Sequence, residues 1–161
     1  MADVLSCLVL LYVTSALRQP PPAQPQQPPT VAPACGECDA VVRRVLVLLP
    51  TRPALVKVID LDRSARVLQE HFKDAEGFVT AGDPAVYLTK QGSTFQHALQ
   101  GPGIWDYALA IIVWHEMAHL RGANERQARQ QEEELWAQFV VAGRVDTRRG
   151  MEYLGLLRKR P

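Results

Sequence analysis

The stretch Ile104-Trp105-Asp106-Tyr107-Ala108-Leu109-Ala110-Ile111-Ile112-Val113-Trp114-His115-Glu116-Met117-Ala118-His119-Leu120 decides the fold. Its first eleven residues are apolar nearly all round, with no run of polar positions at a 3.6-residue period, as in a helix surrounded by the rest of a domain. The same helix then ends in His-Glu-x-x-His. Residues four apart on an α-helix lie one turn apart on one face, so His115 and His119 can direct their imidazoles at a single tetrahedral ion such as Zn2+. Glu116 is rotated about 100° from His115, which keeps its carboxylate off that ion and beside a water there. Two histidines and a glutamate continuing a buried helix need partners, and a metal supplies them.

The elements around this helix follow by pattern. Asp39 is a candidate cap for a helix carrying Val41, Val42, Val45, Leu46, Leu48 and Leu49 up to Pro50. Leu55 to Leu61 reads as helix or strand. Asp62 is expected to cap an amphipathic helix, 63–72, with Ala65, Val67, Leu68 and Phe72 turned inward. Residues 77–80 and 85–89 read as two strands about the turn Ala81-Gly82-Asp83-Pro84, and residues 91–100 as a link into the long apolar helix. After it, Gly122 permits a tight reversal and Asn124 caps a charged helix over about 125–141. Glu125, Ala128 and Glu132 share one face of that helix, so either glutamate could reach the two histidines. In an antiparallel hairpin Glu125 lies level with His119 and Glu132 falls beyond His115, which favours Glu125 as third ligand and leaves Glu132 to orient a histidine.

Composition bounds the rest. The chain has 161 residues, 47% of them hydrophobic, enough for one globular domain once its first part is set aside. A net charge of +1 gives no electrostatic case for nucleic acid, and Arg158-Lys159-Arg160 reads as a solvated end. Residues 1–18 contain an apolar run, Leu5 to Leu17, of signal-peptide length and too short to span a bilayer, followed by no membrane-spanning stretch. The segment reads as a signal peptide or a short apolar tail, although the usual basic start is missing. Export to a periplasm or the cell exterior is expected if residues 1–16 act as a signal, a cytoplasmic location otherwise, and an uncleaved tail would hold the domain near a membrane. Residues 19–34, where seven of the twelve prolines fall, form an extended spacer. The domain itself occupies 35–161. At its start Cys35 and Cys38 form a single Cys-x-x-Cys with no second pair to complete a zinc site, and after export they most simply pair with each other.

His115, Glu116 and His119, with Glu125 beyond Gly122, resemble the zincin metallopeptidases. Glu125-Arg126-Gln127-Ala128 is similar to the glutamate helix of gluzincins. His115 through Glu125 is also similar to the HExxHxxGxxH signature of metzincins with Glu in the last position, and Gly150-Met151-Glu152-Tyr153 to their methionine turn. The resemblance covers about residues 104–140. It implies a small α+β zincin-like domain, with a short antiparallel sheet packed on the buried HExxH helix and a long helix following. It further implies Zn2+ held by His115, His119 and Glu125, Glu116 as general base, and a peptide or protein substrate. In such enzymes a strand just upstream of the metal helix commonly offers its edge to the substrate, a role open to 77–80 or 85–89; a plain hairpin covering the core is the alternative. His71, His97, Tyr87, Tyr107 and Tyr153 are candidates to stabilise an oxyanion, none with a positional argument. Two other classes stand beside hydrolysis: a zinc-stabilised binding module without turnover, against which Glu116 argues, and a metal-free tethered helical interaction protein.

Overall fold

The computed structural model describes residues 35–158. The apolar run, the proline-rich spacer and the last basic residues lie outside them. The described chain is α+β: helices α1 (Gly36–Leu46), α2 (Arg66–Phe72), α3 (Ser93–Leu99), α4 (Ile104–Leu120), α5 (Glu125–Val141) and α6 (Thr147–Leu157), with strands β1 (Leu55–Ile59), β2 (Gly77–Phe78) and β3 (Ala85–Thr89). None of these helices is long and apolar enough to cross a membrane.

Helix α4 is the axis of the domain. Ala108 through Val113 are buried without interruption, and α1, α3, α5 and the sheet all pack on it. This is the environment its unbroken apolar sequence requires. Arg44 of α1 reaches the first turn of α4, where its guanidinium donates to both oxygens of the buried Asp106, at 3.1 Å in each case, and to the Ala98 carbonyl at the end of α3 at 2.7 Å. Asp106 also accepts from the Gly103 amide, so one carboxylate fixes both the start of α4 and its docking to α1.

The sheet has the order β1-β3-β2. An antiparallel sheet was the expectation, and the β2–β3 pair meets it, with Gly77 opposite Leu88 and Phe78 opposite Tyr87. The residues from Leu55 form a strand, however, and β1 runs parallel to β3, so the sheet is mixed. The reason lies in β3, whose five residues are all buried: a central strand needs a partner on both sides, and the β-branched Val56, Val58 and Ile59 provide the second. Val86 and Leu88 turn toward α4, while Tyr87 and Ala85 face a smaller cluster with Ile59, Leu61, Phe72 and Phe78.

Several boundaries differ from expectation. Helix α1 is capped four residues earlier than Asp39, by Cys35, whose sulfur accepts from the Cys38 amide and is joined to Cys38 in a disulfide. Leu61–Arg63 form a 3₁₀ turn that takes up Asp62, so α2 begins only after Ala65. No residue of α2 is fully buried and Val67 points to solvent; only Phe72 anchors the helix, stacked on Phe78. Residues 93–99 are a helix and not a link, its first turn held by the Glu76 carboxylate, which accepts from Ser93 Oγ and the Thr94 amide. Met151 lies in α6, exposed, and Tyr153 packs on Trp136, so no methionine turn forms beneath the histidines.

The α4–α5 hairpin has the expected form. Gly122 adopts φ +87°, the left-handed region open to glycine, and the Ala123 amide bonds back to the Ala118 carbonyl. Asn124 then caps α5 reciprocally with Gln127: each side chain accepts from the other's amide at 3.0 Å.

Candidate functional site

The last turn of α4 and the first of α5 meet across this hairpin. His115 Nε2 and His119 Nε2 lie 3.1 Å apart, and Glu125 Oε2 is 3.6 Å from the first and 3.3 Å from the second. One donor atom from each of the three residues falls within 4.8 Å of the others. The far nitrogens are engaged elsewhere. His115 Nδ1 is 3.1 Å from Glu132 Oε2, and His119 Nδ1 is 3.0 Å from the Ala123 carbonyl. Both of these partners are acceptors, which assigns the proton of each neutral ring to Nδ1 and leaves both Nε2 lone pairs, with a carboxylate oxygen, facing one another. Three acceptors in mutual contact repel unless a proton or a metal cation sits among them. Two imidazole nitrogens and one carboxylate oxygen are a donor set that suits zinc.

The supports of this set are equally specific. Arg129, one turn along α5, donates to Glu125 Oε1 at 2.7 Å, which leaves Oε2 for the histidines. This hydrogen bond is the main reason that the Glu125 carboxyl is held below its usual range. Glu132, almost wholly buried, fixes the ring of His115. Burial pushes the His115 pKa down, but the hydrogen bond to Glu132 and the charges of Glu132, Glu116 and Glu125 outweigh it and raise the value. The two glutamates are thereby sorted: Glu125 meets the Nε2 atoms and Glu132 the opposite side of one ring.

Glu116 sits beside the set, buried against the edge of the sheet. Burial raises its pKa, and the neighbouring imidazoles only partly offset this. Its neighbour on the sheet is Gly77, where a Cβ would lie 3.4 Å from Glu116 Cγ and 3.1 Å from both Ile112 Cγ2 and the Tyr87 carbonyl oxygen. Together with His115, Glu125, Arg129, Glu132 and Gly77, Glu116 lines an open cleft of about 420 Å³, whose outer wall adds Asp74 and Glu76.

Strand β2 is an edge strand. Because the Thr89 amide donates to the Glu76 carbonyl, Glu76 and Thr89 are a hydrogen-bonded pair, and the alternation of an antiparallel ladder turns the main-chain groups of Gly77 away from β3 to the free side. That free edge runs past Glu116. Residues 77–80 are one of the two strands for which such an edge is expected; which of the two is free, and which of its amides remain open, only the pairing reveals.

None of the five oxyanion candidates is among the residues lining the cleft. Tyr87 is buried on the opposite face of the sheet with Lys57 and Asp83, His97 stacks on Trp105, Tyr107 packs on Phe139, Tyr153 on Trp136, and His71 against Phe72. Arg129 and Gly77 are the site residues that pattern reading missed. For Arg129 a signal existed in its i, i+4 spacing from Glu125.

Compared with protein families, curated proteins and solved structures, the chain finds no match.

Proposed function

We propose that this chain is a zincin-like, zinc-dependent metallopeptidase that hydrolyses peptide bonds. The observation that carries the reading is the meeting of His115 Nε2, His119 Nε2 and Glu125 Oε2, three acceptors with both histidine Nδ1 atoms already taken by acceptors. A structural site would close the coordination shell with a fourth protein ligand; here three side chains converge, and two of them, His115 and Glu125, line an open cleft. A zinc ion held there would supply a Lewis acid for a carbonyl and lower the pKa of a bound water toward neutrality.

The residues then divide the work. His115, His119 and Glu125 would hold the ion, with Glu132 and Arg129 fixing the orientation of His115 and Glu125. Glu116, ionised, takes a proton from the attacking water as its oxygen bonds to the carbonyl carbon. It returns that proton to the nitrogen as the carbon–nitrogen bond breaks. The open main-chain groups at Gly77 offer an extended peptide the pairing that one more strand would make, a mode of binding that tolerates varied sequence.

The test is elemental analysis of the purified protein followed by digestion of a peptide library with and without a chelator. About one zinc per chain and chelator-sensitive cleavage are expected. Absence of bound metal after zinc loading, or cleavage indifferent to chelation, would overturn the proposal.

A further inference from the structure

A second cleft, of about 720 Å³, opens on the other flank of the α4 C-terminus, where Pro53, Val79, Pro84, Met117 and Leu120 give it a largely apolar lining and His119 forms the border with the candidate metal set. Of its charged residues Arg52 is exposed at the rim, and the other two are engaged. Asp83 is bound to Lys57 and Tyr87, and Arg121 lies over the Trp114 ring and donates to Gln131. The first cleft is of opposite character: five carboxylates, of Asp74, Glu76, Glu116, Glu125 and Glu132, line it with Arg129, a setting that favours a polar side chain over an apolar one.

The two clefts are not equivalent chemically either. Glu116 must reach the nitrogen that leaves, and Glu116 lines the first cleft only. Because the same carboxylate also meets the attacking water, this places the reacting bond beside the first cleft, with one end of the chain running on into the second. Strand β2 sets the direction. It leads from Gly77 at the first cleft toward Val79 at the second, so a substrate laid with its acyl side at Val79 runs antiparallel to it, the slightly stronger of the two pairings.

We infer that the second cleft seats a large apolar side chain from the residue whose carbonyl is attacked, making the substrates of this site peptides with Phe, Leu or Met immediately before the cleaved bond. The inference rests on the hydrolytic reading above and adds direction and selectivity to it. Burying such a side chain in place of a small or polar one corresponds to about 10-fold or more in kcat/KM.

The experiment is a randomised peptide library digested by the zinc-loaded protein, with each cleaved bond mapped by mass spectrometry. At least ~10-fold enrichment of Phe, Leu or Met before the bond is expected. Two variants at exposed positions of the cleft lining, Leu120→Glu and Ala81→Trp, are expected to keep zinc and lose that enrichment. Cleavage with no preference before the bond, a preference confined to the residue after it, or both variants cutting with the wild-type pattern would overturn this assignment while leaving the hydrolytic reading intact. A zinc-loaded protein that cuts no peptide would remove the hydrolytic reading, and this assignment with it.

Discussion

His115 and Glu132 are joined Nδ1 to Oε2 at 3.1 Å across two helices, and this contact turns the opposite nitrogen of the ring toward His119 and Glu125. The orientation of a candidate ligand is thus set by a residue outside the donor set. Replacing a ligand and replacing its support should therefore have different consequences. Glu125→Ala is expected to be purified metal-poor, whereas Glu132→Ala should retain zinc with an affinity roughly 10- to 100-fold weaker. Competition titration with a chromophoric chelator measures both. The reverse pattern would move the third ligand to Glu132.

Glu116→Ala should keep its zinc and lose at least about 100-fold in kcat, the ordinary contribution of a positioned acid or base. Metal content and turnover measured on one sample decide the matter, and wild-type turnover in a zinc-loaded variant would sink the mechanism.

Gly77→Ala tests the close approach of the sheet edge to Glu116. The added methyl would meet Ile112, the Tyr87 carbonyl and the Glu116 side chain, and the backbone oxygen has little freedom to withdraw. A stability loss of about 1–3 kcal/mol is expected, as for other overpacked sites, together with reduced kcat at unchanged zinc content. Equilibrium unfolding in urea and a zinc assay on the same variant separate the two effects.

Asp106→Ala removes the buried acceptor for Arg44 and for the Gly103 amide. Breaking a buried pair from one side costs about 3–5 kcal/mol when the remaining charge cannot reach water; because Arg44 is 30% exposed, the lower end is expected here. The loss should appear as a lower Tm with the zinc stoichiometry preserved in the folded protein.

On the far face of the sheet Asp83 accepts from the Tyr87 hydroxyl, from the Ala85 amide and from Lys57, and these bonds, Tyr87 first, hold its carboxyl below the usual range. A depressed folded-state pKa stabilises above the unfolded value and ceases to do so as pH falls through the folded one. Asp83→Asn should therefore flatten the acid limb of the stability curve below about pH 4, where unperturbed aspartates titrate. Thermal melts of both proteins across that range give the comparison.

The helices that build the site were legible because their signals are local. The apolar run from Ile104, the positive-φ requirement at Gly122 and the cap at Asn124 each lie within one turn of the feature they determine, and both helix spans emerge as read. The sheet was less legible. Whether Leu55 to Ile59 is helix or strand depends on β3 having an open side, a fact of pairing carried by no short window. Helix α2 shows the converse failure: its apolar positions suggest an inward face, yet nothing packs over Val67. At the site, spacing alone left Glu125 and Glu132 as alternatives on one helical face, and only the hairpin's turn separates them by geometry.

From His115 to Glu125 the candidate ligands fall within eleven successive residues, with one glycine turn between the two helices that carry them. The loop an ion would close there is short, so gathering the ligands demands little chain entropy and no distant part of the molecule. The hairpin is in this sense a portable cassette: grafted onto another antiparallel helix pair with Arg129 and Glu132 retained, it would carry the whole candidate donor set together with its supports.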